Sequence, residues 1–110
     1  MSAEYVVIYY GLKFPVSEGE AKALLKEEHP YQITARKFGL DCYWGDFSAH
    51  TYDYHVFIGK EIGTIGAEHD WNREISDSEM MKTMEDAKAL LREAGFIGEP
   101  KFLMHFEADL

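Results

Sequence analysis

The densest group of side chains able to do chemistry is His69-Asp70-Trp71-Asn72-Arg73, placed just before a helix start. Backbone N–H groups at a helix N-terminus favour an anion, and Arg73 with His69 would add positive charge beside them. The grouping implies a small anionic ligand held by His69, Asp70, Trp71 and Arg73, with His29 joining from a connection expected at the same end of the sheet. A binding role would show as a weaker ligand in Arg73→Ala with the fold intact. The plainer alternative has Trp71 anchoring the loop, Asp70 capping a turn and the histidines solvated. His69 or His55 could act as a general base, because an imidazole titrates close to neutral pH. No nucleophile, base and orienter are spaced to enforce a reaction, which ranks catalysis second to binding.

Other chemistry-bearing residues point nowhere sharper. Asp46, His50, Asp53 and His55 include usable metal ligands, but their spacing matches no His-Glu-x-x-His, EF-hand or paired Cys-x-x-Cys site, and no metal is expected. Gly59, Gly63 and Gly66 form neither a Gly-x-Gly-x-x-Gly nor a Gly-x-x-x-x-Gly-Lys loop, so no nucleotide cofactor is implied. Cys42, beside Tyr43 and Trp44, reads as a strand residue, since a buried cysteine behaves as a small hydrophobe. As the sole cysteine it cannot form an internal disulfide, which suits a reducing, cytoplasmic setting.

The elements that position these residues announce themselves through two capping boxes. Ser17-Glu18-Gly19-Glu20 and Ser76-Asp77-Ser78-Glu79 each offer a hydroxyl to the first turn and a carboxylate that reaches back, so helices begin near residues 17 and 76. Met80, Met84, Ala87, Leu91 and Ala94 recur at steps of four and three, giving the second of these helices a core-facing stripe before Gly95 stops it. Ala21, Leu24 and Leu25 are the apolar face expected of the first, which closes before His29-Pro30. A further short helix is expected over 31–38, ending at Gly39.

Four strands complete the order. Residues 5–12 and 54–65 are aliphatic, β-branched or aromatic throughout, as central strands require, with Gly59 and Gly63 hinting at a bulge or turn near Lys60. Residues 40–47 and 101–107 alternate, with Phe102, Met104 and Phe106 on one side and Leu103 and His105 on the other, and read as edges. The sequence β-α-β-β-α-β predicts an α+β fold of the ferredoxin-like kind, a four-stranded antiparallel sheet with two helices on one face. A variant with an extra hairpin at Gly59-Lys60 is the main alternative. One domain spans 1–110, since no linker, repeat or low-complexity run divides the chain.

Two helices cover one face only, and the first strand offers no polar alternation for the other. Tyr5, Val7 and Tyr9, with Tyr43 beside them, are therefore the expected interface, through which the chain would pair with a second copy or another protein. The competing explanation is that the segment Gly45 to Asp53 folds across that face. Charge narrows the partners further: the net charge is −9, with 20 acidic against 11 basic residues, which disfavours nucleic acid. No run approaches the ~20 apolar residues that span a membrane, and no secretory leader is recognised. The reading that results is a small acidic binding or interaction domain that self-associates, with a dimeric ferredoxin-like enzyme as the alternative.

Overall fold

The computed structural model describes residues 4–46, 54–66 and 68–107. Four strands and three helices follow the order β1 (Tyr5–Pro15), α1 (Glu18–Leu25), α2 (Pro30–Lys37), β2 (Asp41–Asp46), β3 (Tyr54–Gly66), α3 (Asp77–Glu93) and β4 (Lys101–Glu107). The fold is α+β. The three strand-to-strand pairings among the described residues are antiparallel and the sheet runs β2-β3-β1-β4, so the two most apolar strands are indeed central.

Each helix boundary has a local cause. Ser76 Oγ accepts the Glu79 N–H at 3.2 Å, and Asp77 and Glu79 place acidic charge in the first turn of α3. At the start of α1 the Glu20 carboxylate accepts the Ser17 N–H at 2.9 Å. The cap of α2 is His29: its Nδ1 accepts the Tyr31 N–H at 3.1 Å, the Gln32 side-chain Oε1 accepts the His29 backbone N–H, and Pro30 occupies the first helical position. Gly39 and Gly95 end α2 and α3 with φ of 72° and 85°, a region that favours glycine. Ser76→Ala is expected to lower stability by about 1 kcal/mol, read as a shifted denaturation midpoint with unchanged slope.

The helix-side core joins Leu12, Val56 and Ile58 of the sheet to Leu24, Ala35 and Leu91, one from each helix. Two expectations need correction. Leu25 is exposed, because it lies about 100° around the helix from the buried Leu24, at the last turn of α1. No hairpin forms at Gly59-Lys60: β3 runs unbroken through both, and the irregularity falls at Ile62, the extra residue between the pairs Tyr9↔Glu61 and Ile8↔Gly63. That bulge reverses which side chains of β3 face the helices on either side of it.

Candidate functional site

The residues singled out by the sequence do not converge on one place. Because β2 pairs only with 54–59, the second half of β3 extends past it, and the chain after Gly66 folds back along that stretch. The Gly66 and His69 N–H groups donate to the Asp70 and Gly66 carbonyls, and Asp70 bridges Ile65. His69 and Asp70 thus line a shallow groove of about 320 Å³ with Glu61, Gly63 and Thr64. The His69 ring packs edge-on against Tyr5 at 4.9 Å, and the stem of Arg73 lies over Gly63. Trp71 is exposed.

His29 is elsewhere. It stacks on Tyr31, which packs on Phe14 near the far end of β1, nine residues and therefore about 30 Å from Tyr5. Its second nitrogen, Nε2, is 3.9 Å from the Glu20 carboxylate, and the side chain is buried as a helix cap. His55 lies on β3 opposite Pro15 and Gly45, also remote from His69. Acidic residues also lie where an anion is expected beside α3. Glu61 and Asp70 put carboxylates into the groove, while Ser76, Asp77 and Glu79 already supply the acceptor and the negative charge at the helix start.

The face opposite the helices is filled rather than open. Val7 and Tyr9 are 4% and 6% exposed, packed with Phe57 and flanked by Tyr5, Tyr43 and Leu103. The Tyr9 ring meets Tyr43 and Phe57, each at 5.6 Å. The burial of Val7 and Tyr9 leaves them little apolar area to give to the expected interface, while Tyr5 and Tyr43 are partly exposed. The covering segment proposed from Gly45 to Asp53 falls, beyond Asp46, outside the described residues.

What closes this face among the described residues is a contact between the two edges of the sheet. The Tyr43 hydroxyl on β2 donates to Glu107 Oε1 on β4, and His105 Nε2 lies 3.3 Å from the same oxygen. In a flat sheet those strands would stand three spacings, roughly 14 Å, apart, so the sheet is strongly curled. Burial, and then donation to Glu107, raises the Tyr43 phenol far above its usual value. Burial followed by the Glu61 and Asp41 charges does the same to Tyr9. Both phenols therefore remain protonated at neutral pH. Histidine, carboxylate and phenol together form an orienting network of the kind acid–base chemistry uses, here packed among aromatic rings. Tyr43→Phe is expected to destabilise the fold by about 1–2 kcal/mol, the worth of a hydrogen bond to a charged acceptor in a half-buried setting, measured by chemical denaturation.

Two grooves lie along other parts of the surface. One of about 470 Å³ follows β2 and α2, where Gln32 donates to the Leu24 carbonyl and Arg36 to the Glu27 carbonyl, so these polar side chains are engaged within the chain. Cys42, lining it, has its thiol pushed up to about 11 by burial, which leaves little thiolate at neutral pH. The other, about 340 Å³, runs beside Phe102 and Ile97. Among the described residues no three His, Cys, Asp or Glu side chains are placed to hold a metal ion.

A row of exposed apolar side chains runs along β4. The strand forms one edge of the sheet, and on its helix side Phe102, Met104 and Phe106 are 49%, 74% and 56% exposed. The alternation along 101–107 was legible in the sequence, but its apolar row faces water, because α3 packs chiefly over β1 and β3. No family model, curated protein or solved structure matches this chain. Among the described residues no helix is long and apolar enough to cross a membrane.

Proposed function

We propose that this chain is an acidic interaction domain that self-associates through its sheet, with the edge strand β4 as the contact surface. The observation that carries the reading is the exposed row Phe102, Met104 and Phe106 on a strand that, among the described residues, is paired on one side only. A long, apolar sheet edge is a template for another strand, and monomeric proteins usually blunt it with charge, proline or a covering element. The five central residues of β4 contain no Lys, Arg, Asp, Glu or Pro.

The fold reading that goes with this is a ferredoxin-like sheet with one additional helix, supported by the strand order β2-β3-β1-β4 and by the crossover of α3 from β3 toward β4. A reducing, cytoplasmic setting accords with the unpaired thiol of Cys42. The net charge of −9 directs the domain to protein rather than phosphate-rich partners. Light scattering at about 100 μM, well above a micromolar dissociation constant, is expected to give twice the 12.7 kDa chain mass. A single-chain mass at that concentration overturns the reading.

A further inference from the structure

The sequence of β4 is complementary to itself when reversed. Reading Lys101-Phe102-Leu103-Met104-His105-Phe106-Glu107 against its own antiparallel copy about Met104 sets Lys101 opposite Glu107, Phe102 opposite Phe106, and Met104 opposite Met104. We infer that two copies pair their β4 strands antiparallel about a two-fold axis at Met104, joining two four-stranded sheets into one of eight. This rests on the self-association proposed above and specifies its geometry.

The structure supplies what this arrangement needs. β4 is the outermost strand beside β1, so among the described residues the N–H and C=O groups along its far side have no strand to bond. Met104, Phe102 and Phe106 sit opposite Ile8, Tyr10 and Val6 of β1 and share the helix side of the sheet. Antiparallel pairing sets residues of like face side by side, so the two rows merge into one stripe of six apolar side chains. On the other side Lys101, which is exposed, meets Glu107 of the second copy, twice by symmetry. The Glu107 carboxylate already accepts from Tyr43, and it retains lone pairs for a further donor.

Neighbouring registers fit worse. An axis at His105 opposes Leu103 to Glu107 and the two histidines to each other. An axis at Leu103 opposes Lys101 to His105 and leaves Glu107 and Phe106 beyond the last pair. Only the axis at Met104 pairs all seven residues and sets opposite charges at both ends. That local match is what lets two chains of charge −9 approach, since at long range they repel.

A cysteine at the axis tests the register. In a Cys42→Ala background, Met104→Cys is expected to form a disulfide-linked dimer under mild oxidant, because directly opposed Cα atoms in an antiparallel pair fall within disulfide reach. Lys37→Cys, on exposed α2, is the control and should remain uncrosslinked. Lys101→Glu, with its circular dichroism unchanged, should weaken the dimer by about tenfold as two attractive pairs become repulsive. A dimeric parent whose Met104→Cys form does not crosslink, or whose Lys101→Glu form dimerises equally well, overturns this register and leaves self-association standing. A monomeric parent overturns both.

Discussion

Gly11→Ala is expected to be among the most damaging single substitutions available in this chain, lowering stability by about 3 kcal/mol or more through overpacking at the sheet's centre. Gly11 of β1 sits directly opposite Gly59 of β3. A Cβ built on Gly11 would fall inside the Ile58 carbonyl oxygen and within 2.7 Å of the Gly59 Cα, and one on Gly59 would collide equally with the Tyr10 carbonyl. Both obstacles are backbone, so no side chain can swing aside. The two strands would have to part where β1 joins β2-β3 to β4. Gly19→Ala is the control, because that glycine lies in α1 with only Ser17 Oγ at 3.7 Å from the new methyl group. There the substitution should raise stability by about 0.5–1 kcal/mol through helix propensity and a less free unfolded chain. Denaturant titrations of the two variants should therefore move in opposite directions. Equal midpoints would mean that the glycine pair is not in close contact.

Features decided within three or four residues were legible in the sequence, and features decided by register were not. The Ser76–Glu79 cap, the glycine stops at 39 and 95 and the alternation of β4 are all local, and each appears where its spacing put it. The facing glycines depend on how β1 and β3 align across some forty residues of intervening chain, so Gly59 alone points to a bulge or a close backbone approach but does not name Gly11 as its partner. His105 and Glu107 were missed for the same reason. Nothing near them in sequence names Tyr43, and the curl that brings the sheet's edges together belongs to the sheet as a whole. For His29 to join His69, the first helix would have to carry the chain back along the whole length of the sheet. An eight-residue helix spans about 12 Å, whereas the eleven residues of β1 span roughly 35 Å. The chain therefore turns at His29 while still near Phe14, and α2 completes the return.

Stability should also fall steeply as pH rises past 10, and the buried phenols set the sign. Tyr9 and Tyr43 ionise near 10.0 in the unfolded chain but are held protonated well above that in the fold, by burial first and by neighbouring carboxylates second. Below pH 10 both states carry these protons, so the phenols contribute no pH dependence there. Above it the unfolded chain releases them and the folded chain does not, so deprotonation drains population toward the unfolded state. Each phenol that stays protonated gives a limiting slope of about 1.4 kcal/mol per pH unit, or roughly 2.7 kcal/mol for the pair. Tyr43 is only half-buried, so solvent screening keeps the sum below that limit. Cys42 acts in the same direction over a lower range, between its usual 9.0 and about 11. Denaturation midpoints measured across this range should drop, with tyrosinate absorbance for these two rings appearing together with unfolding rather than before it. Tyr9→Phe and Tyr43→Phe should each make the decline shallower. A midpoint that stays level from pH 9 to 11, or an unchanged slope in both phenylalanine variants, would mean that the two hydroxyls meet solvent and that the sheet's edges do not close over them.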